Sequence, residues 1–149
     1  MEKVKTFKGF LLAAIMLALA LSAQGQKSLD EYTWKNRVLL ILSSPNTSDV
    51  SKKQLELLGP LNSDFDDRKL MVLQVSDEYY RVLNGKSPNR YLKSQLYNTY
   101  NSQGQDFQIV LIGLDGRLKL QQQWPVKRNE LFALIDGMPM RQAELKAKN

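Results

Sequence analysis

The chain has 149 residues, of which 43% are apolar, and this suits one domain with an ordinary core. Its 21 basic and 15 acidic residues are interspersed, so the net charge of +6 does not indicate a nucleic-acid-binding arm. Because the sequence holds no cysteine and no histidine, thiol redox catalysis, Ser-His-Asp and Cys-His hydrolysis and His-rich metal sites are excluded for this chain.

The first 25 residues have the pattern of a signal peptide: basic residues, an apolar segment, then small residues. These are Lys3, Lys5 and Lys8, residues 10–20, and Ser22, Ala23 and Gly25. We expect a mature protein that begins near Gln24 or Gln26 and is periplasmic or secreted. An uncleaved anchor is the alternative, but a spanning helix needs about 20 apolar residues. Residues 9–23 supply only 15.

Residues 26–149 form the predicted domain, in which 18 basic and 14 acidic residues leave a net charge of +4. Residues 37–44 begin it as a strand buried on both faces, since the apolar run is unbroken. A loop over residues 43–48 leads to a helix that Ser48 or Asp49 caps and that residues 59–60 kink or end. Its expected apolar positions are Val50, Leu55, Leu58 and Leu61.

Residues 69–76 predict a second buried strand, followed by a polar connection over residues 77–86. Ser87 and Pro88 fit the first positions of a second helix with an apolar stripe at spacing four. That stripe is Leu92, Leu96 and Tyr100. Residues 107–112 and 117–123 predict two strands joined by a hairpin turn at Asp115-Gly116.

The last segment has an apolar helical face, and a charged tail is expected to follow it. That face consists of Leu131, Phe132, Leu134, Ile135 and Met138. The predicted order is therefore β-α-β-α-β-β-α, with two parallel crossover units and then an antiparallel hairpin. This is the order of a thioredoxin-like three-layer α/β/α sandwich. Another small α/β sandwich with a different strand order is the alternative.

Three segments resemble one known family: Trp34-Lys35-Asn36-Arg37, residues 111–116 and residues 131–142. The chain resembles the bacterial P-DUDES domain of unknown function, which is thioredoxin-like and related to domains of secreted extracellular-matrix and sushi-repeat proteins. The resemblance implies a fold and no settled activity. Where redox members of the superfamily carry reactive cysteines, this chain has residues 43–48, and Gly104-Gln105-Asp106 replaces the usual loop proline.

The loop after the first strand is the first candidate ligand site. Free backbone N–H groups at a helix start attract anions, and neighbouring hydroxyl groups could assist. Ordinary helix capping is the alternative role. The candidate residues are Ser43, Ser44, Asn46, Thr47 and Ser48.

A second candidate is an interaction surface made of Trp34, Arg37, Met140 and Arg141. Trp34 beside basic residues could form an exposed contact point, although a tryptophan more often covers a core. Met140 and Arg141 follow the last helix, where methionine side chains adapt to partners. Packing of the neighbouring Met138 against the sheet is the alternative there.

No catalytic residue, metal site or cofactor is predicted. Asp64, Asp66 and Asp67 lack the ligand spacing of a calcium loop. The sequence favours a redox-inactive binding or adaptor domain of the cell envelope or the extracellular space, whose partner is a protein or a small anionic ligand. An unorthodox enzyme of the same superfamily, with non-thiol residues or a bound cofactor, is the alternative.

Overall fold

The computed structural model describes residues 29–85, 90–92 and 95–148, the middle range by its backbone alone. The signal-peptide prediction and the predicted helix start at Ser87-Pro88 lie outside the described residues. Within the described ranges, none of the helices has the length and apolar character needed to cross a membrane.

The chain has the seven predicted elements and four more: two strands and two helices. The elements are β1 (Arg37–Ser43), α1 (Ser48–Leu58), α2 (Ser63–Asp67), β2 (Leu70–Val75), β3 (Tyr79–Val82), β4 (Arg90–Leu92), α3 (Gln95–Tyr100), β5 (Phe107–Ile112), β6 (Leu118–Gln122), α4 (Arg128–Asp136) and α5 (Pro139–Lys148). Short 3-10 helices span Leu29–Glu31 and Pro45–Thr47. The chain is thus a mixed α/β protein.

The strands form one mixed sheet in the order β4-β3-β2-β1-β5-β6. β1 and β2 are parallel, which confirms the first crossover unit. The second predicted parallel crossover is wrong, because β5 runs antiparallel to β1. β6 pairs antiparallel with β5 through the hairpin at Asp115-Gly116, where the N–H of Gly116 donates to the carbonyl of Gly113 over 3.0 Å.

Two strands replace parts of the predicted connection and second helix. Tyr79–Val82 forms β3 because its β-prone side chains alternate, with Tyr80 and Val82 buried against the sheet. Arg90–Leu92 pairs with it as β4, so Leu92 lies in a strand and α3 is shorter than predicted.

Every residue of β1 is buried, as its unbroken apolar run predicts. Alternate residues point to opposite faces, so Leu39 and Ile41 join one apolar cluster while Val38, Leu40 and Leu42 join another. Leu58, Leu131 and Ile135 from α1 and α4 pack in the first cluster, and Leu96 from α3 packs in the second. The sheet therefore has an apolar core and helices on both faces.

Some helical positions differ from the predictions. Val50 and Leu134 are exposed, because each turns away from the sheet. The predicted charged tail is the helix α5, which begins at Pro139, a residue that fits the first turn since its missing N–H has no helical partner there. Ser48 is the first helical residue of α1 and Thr47 holds the cap position without a side-chain cap bond, so the predicted cap is wrong.

Candidate functional site

The loop over residues 43–48 lies at the carboxyl end of β1 and is fastened to Asp106. The hydroxyl of Thr47 donates to the carbonyl of Asp106 over 2.7 Å, and the Ser44 hydroxyl donates to its carboxylate over 3.3 Å. The Ser44 N–H also donates to that carbonyl, over 2.8 Å. Ser43 is buried and Ser48 is exposed. The two hydroxyls therefore serve loop attachment rather than helix capping, and a carboxylate stands beside them.

The opposite end of β1 begins with a buried arginine. Arg37 is fully buried, and its guanidinium contacts the Glu144 carboxylate at 3.3 Å and donates to the carbonyl of Arg68 over 2.9 Å. The ammonium of Lys69 lies 3.6 Å from the same carboxylate. α5 is thereby held to the amino ends of β1 and β2 by an ion pair that is largely withdrawn from water.

Arg141 extends this arrangement into a network that we call the arginine cluster. Its guanidinium is buried, pairs with Asp67, and lies 3.2 Å from Asp136 and 3.5 Å from Glu144. It also donates to the carbonyl of Asp67 over 2.7 Å. The whole cluster joins Arg37, Arg68, Lys69, Arg141 and Lys148 to Asp67, Asp136 and Glu144.

Ion pairing lowers the pKa of two carboxylates of the cluster, Asp67 and Glu144. Hydrogen bonds from Lys148 and Arg141 lower the pKa of Asp67 from 3.8 to about 2. Burial alone would raise the pKa of Glu144, but hydrogen bonding and charge from Arg37, helped by Lys69, outweigh burial and lower it. Both carboxylates are therefore ionised at neutral pH.

A cavity of about 300 Å³ adjoins the cluster and has Arg37 in its wall. The rest of the wall is mostly apolar and comes from the hairpin and the α4–α5 junction: Leu114, Asp115, Lys119, Met138, Pro139 and Met140. Lys119 and Asp115 form an ion pair of 2.9 Å at this wall. The buried Nε of Arg37 has no hydrogen-bond partner among the described residues. The cavity is thus lined mostly by apolar side chains, and this unpartnered nitrogen is itself shielded from solvent.

Trp34 lies beside this cavity in an unusual backbone conformation. Its N–H donates to the carbonyl of Leu114, a wall residue, over 2.7 Å. Its φ of 64° is in the left-handed region, which is rare for a bulky side chain, and its indole is 66% exposed. The fold therefore holds a large aromatic group in solvent at a local energetic cost, a combination common at functional sites.

Trp34 and Met140 of the predicted interaction surface are exposed at this end of the molecule. The prediction that Arg37 and Arg141 belong to a contact surface is wrong, because both side chains are buried and paired with carboxylates. Met138 packs partly buried against the first apolar cluster. The sequence analysis missed Glu144, whose spacing of three from Arg141 on a helix was an available signal. It also missed Leu114, to which no local pattern points.

The described residues line two further cavities. One of about 600 Å³ is lined by residues that include Arg68, Arg128 and Phe132, and one of about 330 Å³ borders the arginine cluster. Arg128 already pairs with Asp64 and donates to Asn62 and the carbonyl of Pro60. Within the described ranges, no group of three or more acidic side chains is placed to hold a metal ion.

The model of one protein family, described as Domain of unknown function (DUF4174), matches residues 28–144. The chain belongs to this family. No curated protein and no solved structure matches it. The match covers every described strand and helix of this DUF4174 domain, with only the last turn of α5 beyond it.

Proposed function

We propose that this DUF4174 domain is an exported, redox-inactive binding or adaptor domain with a thioredoxin-like α/β/α fold. The fold proposal is supported by the strand order β2-β1-β5-β6, with β1 and β2 parallel and the others antiparallel. Without β3, β4 and the two added helices α2 and α5, the element order is the predicted β-α-β-α-β-β-α. The P-DUDES resemblance of residues 34–37, 111–116 and 131–142 supports the same proposal.

Export rests on the residues before the domain. The basic, apolar and small residues of positions 1–25 fit a signal peptide. N-terminal sequencing of the natural product should find Gln24 or Gln26 first. Met1 intact on a membrane-embedded product would contradict this proposal.

Binding is proposed at the surface formed by the exposed Trp34 and by the cavity that Met140 and Leu114 line, which we call the Trp34 surface. The observation that carries the proposal is the strained, solvent-exposed Trp34 beside an apolar cavity. Apolar clefts with a few polar groups are the usual form of binding sites. Exposed tryptophans are also frequent anchors of protein interfaces. The alternative enzyme has less support, because the hydroxyls of Ser44 and Thr47 are already bonded to Asp106.

A capture experiment with two tryptophan variants tests this proposal. The immobilised protein is incubated with an envelope extract in three forms: wild type, Trp34→Ala and Trp124→Ala. Trp124 is a matched control because its exposure of 65% is close to that of Trp34, while its backbone carbonyl bonds Gln122 and not a residue of the cavity wall. We expect Trp34→Ala to lose the captured partner and Trp124→Ala to retain it. Equal capture by both variants would contradict binding at the Trp34 surface.

The backbone of Trp34 offers a second test. Trp34→Gly removes a side chain from a left-handed position that glycine adopts without strain. We expect the thermal midpoint to stay level or rise while partner capture is lost, a separation that a purely structural tryptophan would not give. A fall in the thermal midpoint together with retained capture would show that Trp34 serves the fold.

A further inference from the structure

We infer that the edge of the sheet formed by β3 and β4 binds an acidic polysaccharide, whose carboxylate groups lie at the register pair Arg81 and Arg90. This inference goes beyond the proposed function, because it assigns a second ligand to a surface separate from the Trp34 surface. Three observations carry it: the distribution of charge along the chain, a row of register partners across three strands, and an exposed arginine that has no carboxylate partner among the described residues.

The net charge of the domain is concentrated in this part of the chain. Residues 79–105 contain four basic residues and no acidic residue, whereas the rest of residues 26–149 holds 14 of each sign. The four are Arg81, Lys86, Arg90 and Lys93. The nearest preceding acidic residues, Asp77 and Glu78, lie in the bend before β3. Because a local excess of one sign attracts ligands of the other, this segment favours an anionic ligand.

Backbone pairing puts two of these arginines at directly opposed positions. Arg81 of β3 and Arg90 of β4 are register partners on adjacent antiparallel strands. Like charges at such positions destabilise a sheet, because register partners share one face. An anion bound between them would remove this repulsion. The pair therefore has the charge and the close spacing that a carboxylate site needs.

The row of register partners continues from Arg81 to Gln74 on β2. The Gln74 amide nitrogen donates to the hydroxyl of Ser51 in α1 over 3.3 Å, so α1 covers the sheet as far as β2. Arg81 lies one strand further out and is exposed. The amide oxygen of Gln74 has no hydrogen-bond partner among the described residues. The row thus runs about 10 Å across three strands, from an amide acceptor beside α1 to the arginine pair at the edge.

The guanidinium of Arg81 has donors available for an anion. It lies 5.8 Å from the ring centroid of Tyr79, which precedes it by two residues and shares its face of β3. This contact steadies the guanidinium over the ring and leaves its N–H groups unoccupied. The buried Arg37 and Arg141 are each paired with a carboxylate, whereas Arg81 forms no ion pair with any described carboxylate.

The chemistry of the row favours a saccharide over other polyanions. A guanidinium binds a carboxylate through two hydrogen bonds, and the Gln74 amide oxygen accepts from a hydroxyl group, so the matching ligand carries both groups. Single-stranded nucleic acid stacks its bases on exposed aromatic side chains, and a membrane surface takes up exposed apolar ones. The described part of residues 79–105 offers neither, because its aromatic and large apolar side chains are buried or half-buried.

Titration calorimetry of the purified protein tests the inference. Four probes are compared: hexagalacturonate, its methyl ester, hexaglutamate and hexathymidylate. The ester keeps the hydroxyls and loses the charge, whereas hexaglutamate keeps the carboxylates and has no hydroxyls. We expect saturable binding of hexagalacturonate that weakens as salt is added. The other three probes should each bind more weakly by about tenfold or more.

Two arginine variants locate the binding. Arg81→Gln should weaken hexagalacturonate by about tenfold or more, and the thermal midpoint should stay level because the residue is exposed. Arg117→Gln is the matched control, since Arg117 is also exposed, forms no ion pair with a described carboxylate and carries the same charge at the far edge of the sheet, beside β6. It should weaken binding by less than about twofold.

Four results would overturn the inference: no saturable binding of hexagalacturonate, equal binding of its ester, equal or tighter binding of hexaglutamate or hexathymidylate, or equal loss in the two arginine variants. Hexaglutamate as the best ligand would assign this edge to acidic polypeptides, and hexathymidylate would assign it to nucleic acid. Trp34→Ala should bind hexagalacturonate as the wild type does, so this edge and the Trp34 surface are tested separately. Loss of that binding in Trp34→Ala would contradict a separate site.

Discussion

Glu144→Gln tests whether the arginine cluster holds α5 to the sheet. The substitution keeps the size and helix propensity of the side chain and removes its charge. Arg37 is fully buried, so its guanidinium would keep the carbonyl of Arg68 as a partner but lose its carboxylate. Breaking a buried pair from one side costs about 3–5 kcal/mol. Because Glu144 is itself partly exposed, we expect about 3 kcal/mol.

The free energy of unfolding of a domain is only about 5–15 kcal/mol, so this loss is a large share of it. The thermal midpoint should fall by about 10 °C. Urea unfolding followed by circular dichroism measures it. Glu130→Gln is the matched control, because its pair with Lys127 is mostly exposed and such pairs contribute less than about 1 kcal/mol. Equal losses in the two variants would refute a structural role for the cluster.

Acid should destabilise the protein through Asp67, because the pKa of this carboxyl is lower in the folded state than in the unfolded chain. Its contribution to the free energy of unfolding is complete above the unfolded pKa of 3.8 and is lost as the pH falls towards the folded pKa of about 2. Thermal midpoints measured against pH should decline from about pH 5 downwards and decline less in Asp67→Asn; parallel curves would contradict this. Gln54→Leu should cost about 2 kcal/mol or more in urea unfolding, because the buried amide exchanges hydrogen bonds of 2.9 and 2.8 Å with the backbone of Val126. An unchanged urea midpoint would mean that water replaces these bonds. Thr47→Val should cost about 1 kcal/mol by removing the hydroxyl that bonds Asp106, and full retention of stability would show that the loop is held by other contacts. Insulin-disulfide reduction in the presence of the protein should match the buffer control, since the chain has no cysteine, and activity that survives removal of contaminating reductases would point to a bound cofactor.

The buried strands were predictable because their apolar runs and turn residues are local signals. β1, β2, β5 and β6 lie within one residue of the predicted bounds at each end. β3 was missed although Tyr80 and Val82 alternate with Tyr79 and Arg81, because the short pattern is surrounded by polar residues. The direction of β5 was also missed, since strand pairing depends on contacts distant in sequence.

The candidate site was predictable only in part. The exposure of Trp34 and the grouping of Trp34 with Met140 at one end follow from tertiary structure, and the sequence offered these two residues only as one alternative among others. The burial of Arg37 and Arg141 could not be predicted, because Arg37 pairs with the distant Glu144 and Arg141 with the distant Asp67. The nearby Asp136 and Glu144 indicate a partner for Arg141 but do not indicate that it is buried. A basic residue is usually exposed unless paired, and sequence alone does not show the pair.

Amide chemical-shift mapping of the labelled protein with its captured partner tests the central claim most directly. The two candidate sites lie at opposite ends of β1, roughly 20 Å apart for a seven-residue strand. Binding at the Trp34 surface predicts the largest shifts at Trp34, Leu114 and Met140, with residues 44–48 unchanged. Shifts concentrated at residues 44–48, with Trp34 unaffected, would contradict it.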